Sequence, residues 1–290
     1  MAQEKIRFRP FLEIPNIIFL FSLMLTIGSF AANFLIAYFT YDDQLFRERL
    51  QIYYHFNIYI WIWGFIVLSI ALFIRRSRWQ HPYFPSAERP LFQDDMAAYS
   101  IFLLALGLAL LSNFLYSPLH LLDFITFIIA VYTLLLVARN YTFQQLRPAW
   151  QHPTNAGAIV QGTVVMGCAM GLALFLDETI SRILAWTMLV FLILEGLTIW
   201  SRFRFLSSAN VVTRQAVQMM LGTHVTLFGV RFIFGIIMPA VYLIWGLFFA
   251  EISFNPVILM VLVGELSGRI LFFITAQPYS APTNGHPLES

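Results

Sequence analysis

Cysteine is almost missing from this chain: Cys168 is the only one, and it sits inside an apolar run. A single thiol excludes an intramolecular disulfide framework, a thiolate-held iron–sulfur centre and a cysteine-based zinc site. A redox metal would have to be held by histidine or belong to another chain. Lysine is equally scarce, with Lys5 alone among 17 basic residues, and charged residues of every kind make up only 11% of the sequence. Soluble domains carry about 25%, so a soluble globular chain is excluded. The net charge of +2 points to no nucleic-acid partner. What carries information is where the arginines sit.

What is present is apolar: 59% of 290 residues are hydrophobic and the mean hydropathy is +0.75. A bilayer core about 30 Å thick takes a helix of roughly 20 apolar residues. Eight segments qualify, near 16–39, 56–74, 97–116, 118–137, 156–176, 183–200, 222–249 and 256–275. A lipid-embedded backbone must satisfy its own hydrogen bonds, and the alternation of a barrel strand is absent. The expected fold is therefore an all-α polytopic membrane protein, with eight transmembrane helices in a bundle over residues 1–277 and a flexible Pro/Ser/Gly-rich tail at 278–290. The seventh segment is long and contains Pro239, which predicts a kink or tilt. The connections at 75–96, 138–155 and 201–221 are too short to house a catalytic domain. The first apolar run is too long for a cleavable signal and no small-residue cleavage site follows it, so it is expected to stay in the mature protein.

Eight spans put both termini on one face. That face collects Lys5, Arg7, Arg9, Arg75, Arg76, Arg78, Arg89, Arg139, Arg147, Arg202, Arg204 and Arg214, against Arg47, Arg49 and Arg182 opposite. The positive-inside rule then places both ends in the cytoplasm. The same arginines also suit a docking surface for an acidic partner.

An ionisable side chain at mid-bilayer costs about 2.5–3.5 kcal/mol on insertion scales and marks a functional hypothesis. Glu195, Arg231, Glu265 and Arg269 are such residues. Glu265 and Arg269 are four apart on one helix face, in the favoured order for an ion pair. Arg231 and Glu265 lie about equally deep in antiparallel neighbouring spans and can meet. They would form an ion pair locking the seventh and eighth helices, or else a proton path or the wall of a polar ligand cavity. Gly264 and Gly268, like Gly167 and Gly171, have the small-xxx-small spacing of close helix approach.

Six histidines are candidates for proton or metal chemistry. His55 and His120 begin two spans on one face, with Asp123 a turn further in; they would ligate a haem b, or else sit at headgroup level with Tyr53, Tyr54 and Tyr59. His224 opens the seventh span from the opposite, Arg-rich face, seven residues before Arg231, and Gln161 enters from that face too. A quinol headgroup needs a hydrogen-bond partner for each oxygen and a base for its protons, just inside an interface. His224, Gln161 and Arg231 have the spacing for this.

Several stretches resemble the membrane anchor subunit of dimethyl sulfoxide reductase, within the eight-span group that includes polysulfide and nitrite reductase membrane subunits. They are Glu13-Ile14-Pro15-Asn16-Ile17-Ile18-Phe19 running to Gly28; Trp150 to Pro153; Arg231, Gly235 and Pro239; and Gly264-Glu265-Leu266-Ser267-Gly268-Arg269 followed by Phe272-Phe273. Leu72-Phe73-Ile74-Arg75-Arg76 stands where that family often carries His-Leu-Gly-Arg-Pro. The resemblance implies a prokaryotic inner-membrane subunit of an anaerobic respiratory chain, with no redox centre of its own. It would exchange electrons between quinol, such as menaquinol, and a docked iron–sulfur subunit that feeds a molybdopterin catalytic subunit. It also implies quinol-binding roles for Glu13, Asn16 and Arg231, and docking roles for Arg75 and Arg76. The alternatives are an ion or solute transporter using the deep charges, and a haem b cytochrome subunit.

Overall fold

The computed structural model describes residues 14–39, 58–74, 89–115, 120–142, 152, 154–174, 178–208, 211–249 and 255–275. In chain order the elements are α1 (Ile14–Phe39), α2 (Ile58–Ile74), α3 (Arg89–Leu115), α4 (His120–Thr142), α5 (Thr154–Leu174), α6 (Glu178–Ser208), α7 (Val211–Leu221) and α8 (Val225–Phe232). A π-helical turn, Ile233–Ile237, leads into α9 (Met238–Phe249), and α10 (Asn255–Ile274) follows. Among the described residues every regular element is helical.

Among the described residues six stretches are long and apolar enough to cross a membrane: Ile14–Tyr38, Leu121–Thr142, Thr154–Leu172, Glu178–Ser208, Val225–Phe249 and Pro256–Ile274. Two shorter apolar helices, Ile58–Ile74 and Met96–Ser112, coincide with the other two apolar segments of the sequence. The protein is thus an integral multi-pass membrane protein with an all-α bundle. Large apolar side chains face outward along these helices, as lipid-facing surface requires. On α6 they are Ile183, Trp186, Val190, Ile193, Leu197 and Trp200, alternating with a buried face of Ser181, Ala185, Met188, Leu192 and Glu195.

α5 occupies the middle of the bundle, packed against α1, α4, α6 and α10. Its contact with α1 depends on glycine. A Cβ on Gly28 would lie 3.0 Å from the Gly167 nitrogen and 3.3 Å from its Cα, so the two backbones touch. Met24 meets Gly162 as Gly28 meets Gly167, so α1 and α5 run parallel. α10 runs against them, since Arg269 reaches Ala158 and Glu265 lies beside Gly162.

Two expectations change. The segment 201–221 is not a loop: α6 continues to Ser208, and α7 folds back so that Ala216 and Met220 pack on Leu206. Arginine is a good helix former, and both arginines there find rings, Arg202 over Phe272 and Arg204 over Trp200. The distortion expected from Pro239 takes the form of the π turn just before it. Met238 N–H donates to Ile233 O, five residues back, and Pro239 has no N–H to restore the α pattern.

Glu13, Arg75, Arg76, His55 and the tail 278–290 lie outside the described residues.

Candidate functional site

The starts of α1, α5 and α8 and the ends of α6 and α10 share one end of the bundle. About one to four turns in from the ends of their helices, four charged side chains from three segments converge. Arg231 Nη1 donates to Glu265 Oε1 at 2.7 Å, and its Nη2 donates to Glu195 Oε1. Arg269 Nη2 donates to Glu265 Oε2 at 2.9 Å and to the Ala158 carbonyl at 3.2 Å. Glu195 and Glu265 are 0% exposed, Arg231 5% and Arg269 4%. Two guanidinium groups thus balance two carboxylates. Charges withdrawn from water persist only when paired and hydrogen-bonded in this way.

Glycines make the room. A Cβ on Gly268 would lie 2.8 Å from Arg231 Nε and 2.9 Å from its Cδ, so the arginine lies across that glycine. A Cβ on Gly162 would meet Glu265 Oε2 at 2.7 Å and Arg269 Nη2 at 3.1 Å. A Cβ on Gly235 would lie 2.8 Å from Arg231 Nη1 and 3.3 Å from the Gly264 Cα. The small-xxx-small pair of α10 therefore serves two purposes. Gly264 lets the π turn approach, and Gly268 seats the guanidinium. The π turn begins two residues after Arg231, as such turns often do at functional positions.

A partly open cavity of about 70 Å³ adjoins the network between α5, α6, α7, α8 and α10. Glu195, Arg202, Arg231 and Arg269 supply its polar wall, and Phe203, Phe228 and Phe272 much of its apolar wall. Glu195 Oε2 and Arg269 Nε are buried and make no hydrogen bond among the described residues, and the same holds for Nε and Nη2 of Arg202. The residues lining the cavity thus carry one unused acceptor and several unused donors in an apolar frame. Among the described residues, no three His, Cys, Asp or Glu side chains gather as a metal site.

Arg202 was missed as a site residue because it reads as part of a connecting loop. The signal lay in its spacing: it follows Glu195 by seven residues, two turns along the same buried face of α6. Its guanidinium carbon stands 5.0 Å from the Phe272 ring centroid, within reach of a cation–π contact.

The other sequence candidates are more dispersed. Asn16 sits half-buried in the first turn of α1. Gln161 precedes Gly162 on α5, half-buried, with a buried Oε1 that makes no hydrogen bond among the described residues. His224 lies in the turn before α8, and its carbonyl accepts from Phe228 N–H at 3.0 Å. Two turns of helix, about 10 Å, separate it from Arg231, whose guanidinium is committed to the two glutamates. His120 opens α4, remote in sequence from this cluster.

His152 stands just outside the spans at this end. Thr154 N–H donates to its Nδ1 at 3.3 Å, Thr154 Oγ1 lies 2.6 Å from the same nitrogen, and its ring packs on Phe205 with centroids 4.4 Å apart. Burial, and secondarily the charge of Arg202, hold its pKa below the ordinary 6.5.

Compared with known proteins, the chain matches no family model and no curated protein.

Proposed function

We propose that this chain is the membrane anchor and quinone-reactive subunit of a multi-subunit molybdopterin/iron–sulfur oxidoreductase. It spans the prokaryotic inner membrane eight times with both ends in the cytoplasm, and the cavity beside Glu195 takes the quinone headgroup. The observation that carries this reading is the pairing of an unused carboxylate oxygen with unused guanidinium nitrogens in one apolar-walled cavity. A quinol needs both at once: a base for its hydroxyl proton and donors for the oxygen that becomes a carbonyl.

In the oxidising direction, a quinol hydroxyl donates to Glu195 Oε2 and an oxygen accepts from Arg202 or Arg269. The two protons leave towards the aqueous face, and the two electrons pass to the iron–sulfur subunit docked on the arginine-rich end. Arg231 and Glu265 hold the wall in place, and Asn16, Gln161 and His224 belong to the same end of the bundle. Arg75 and Arg76 serve the docking surface. The carrier reading draws less support, because the deep charges are spent on one another across α6, α8 and α10.

The test is mass spectrometry of the chain purified in mild detergent. Co-purification with an iron–sulfur subunit, and quinol oxidation that is lost in Glu195→Gln while the complex still assembles, are expected. A chain that purifies alone and moves solute into liposomes would overturn the proposal.

A further inference from the structure

Glu195, Glu265, Arg231 and Arg269 cancel in formal charge, and Arg202 then adds one positive charge with no carboxylate paired to it among the described residues. Its Nε and Nη2 are buried beside the cavity and make no hydrogen bond among those residues. His152, which also lies near Arg202, adds no further cation at neutral pH: Thr154 N–H points at Nδ1, leaving that nitrogen as an acceptor. The cavity, at about 70 Å³, is smaller than the ~150 Å³ that holds a benzene ring. It therefore admits one oxygen-bearing edge of a ring, while the rest of the ring lies against the phenylalanines.

We infer that this cavity binds the quinone headgroup as a monoanion, with the ionised oxygen held by Arg202 and Arg269. The inference rests on the quinone reading above and adds the charge state of the bound ligand and the residue that selects it. For a quinol, the first O–H bond breaks as its proton passes to Glu195 Oε2, leaving a quinolate oxygen against the two guanidinium groups. The second proton and both electrons leave afterwards, the electrons to the iron–sulfur subunit. A hydrogen bond to a charged partner contributes about 1.5–3 kcal/mol against about 1 for a neutral one. The anion is thus favoured about two- to thirtyfold over a neutral ligand of the same shape.

Two probes separate charge from shape: a 2-hydroxy-3-alkyl-1,4-naphthoquinone, ionised at neutral pH, and its neutral 2-methoxy ether. Binding to the detergent-solubilised complex is read by quenching of tryptophan fluorescence. The native protein should bind the hydroxy compound about tenfold more tightly than the ether. Arg202→Gln should remove that preference by weakening the hydroxy compound more than the ether, and Arg202→Lys should keep most of it. Equal affinities in the native protein, or a preference that survives Arg202→Gln, would overturn the inference while the quinone reading stands. If Arg202→Gln loses both ligands, Arg202→Lys decides: a retained preference supports the inference and a lost one refutes it. Failure of both probes to bind the native protein would overturn the inference and the quinone reading together.

Discussion

Arg231 and Glu265 meet across two antiparallel segments, Nη1 to Oε1 at 2.7 Å, and through them α6, α8 and α10 share a single buried charge network. Each carboxylate oxygen of Glu265 is used by a different arginine. Neutralising one group leaves its partners buried without full compensation, and removing one member of such a pair costs about 3–5 kcal/mol.

Coupling within this network is the first expected outcome. Glu265→Gln and Arg269→Gln should each lower the thermal midpoint in detergent, and the double variant should lose less than the two single losses together. Residues that share a hydrogen-bonded network show non-additivity of about 0.5–3 kcal/mol. Additive losses would show that the groups do not act together.

The glycines provide a test of packing with an internal control. Gly268→Ala places a methyl 2.8 Å from Arg231 Nε and should destabilise the bundle by about 1–3 kcal/mol, the usual cost of overpacking. Gly229, on α8, has nothing within 4 Å of its would-be Cβ. Gly229→Ala should therefore be neutral or stabilising by up to about 1 kcal/mol through helix propensity. Denaturant or thermal unfolding of the two variants side by side decides the matter, and equal effects would contradict the geometry.

His152 predicts a pH dependence of known sign. Its folded-state pKa lies below the ordinary 6.5, first through burial and then through Arg202. As pH falls below about 6.5 the unfolded chain takes up a proton before the folded one does. The folded state is therefore disfavoured on the acid side, and stability rises with pH across that window. Replacing His152 with Gln should flatten this part of the stability–pH curve relative to the native protein. An unchanged slope would remove His152 as its source.

Much of this was legible in the sequence because lipid imposes simple demands. Apolar runs alone locate the helices, since a chain in hydrocarbon has to close its own hydrogen bonds. The four deep charges stand out because their cost is high against such a background, and the i,i+4 spacing of Glu265 and Arg269 already sets them on one face. Helix ends were harder to read. Arg202 and Arg204 look like the start of a loop, yet α6 runs on to Ser208 because both cations lie over aromatic rings. That continuation turns an arginine of the charged face into a wall of the cavity. The seven-residue spacing of His224 and Arg231 was legible, whereas the pairing of Arg231 with Glu195 was not, because those two lie 36 residues apart in the chain. The role of Gly162 was also hidden, because its neighbours come from α1 and α10, more than a hundred residues away in the chain.

The central claim is that the headgroup enters the cavity beside Glu195 and Arg202. A photoreactive alkyl-naphthoquinone, cross-linked to the purified complex and mapped by peptide mass spectrometry, tests it most directly. Labelling should fall on Ile199, Phe203, Leu206, Phe228 and Phe272, which line that cavity, and should be displaced by excess unlabelled quinone. Displaceable labelling confined to other helices, with these five residues untouched, would contradict the account.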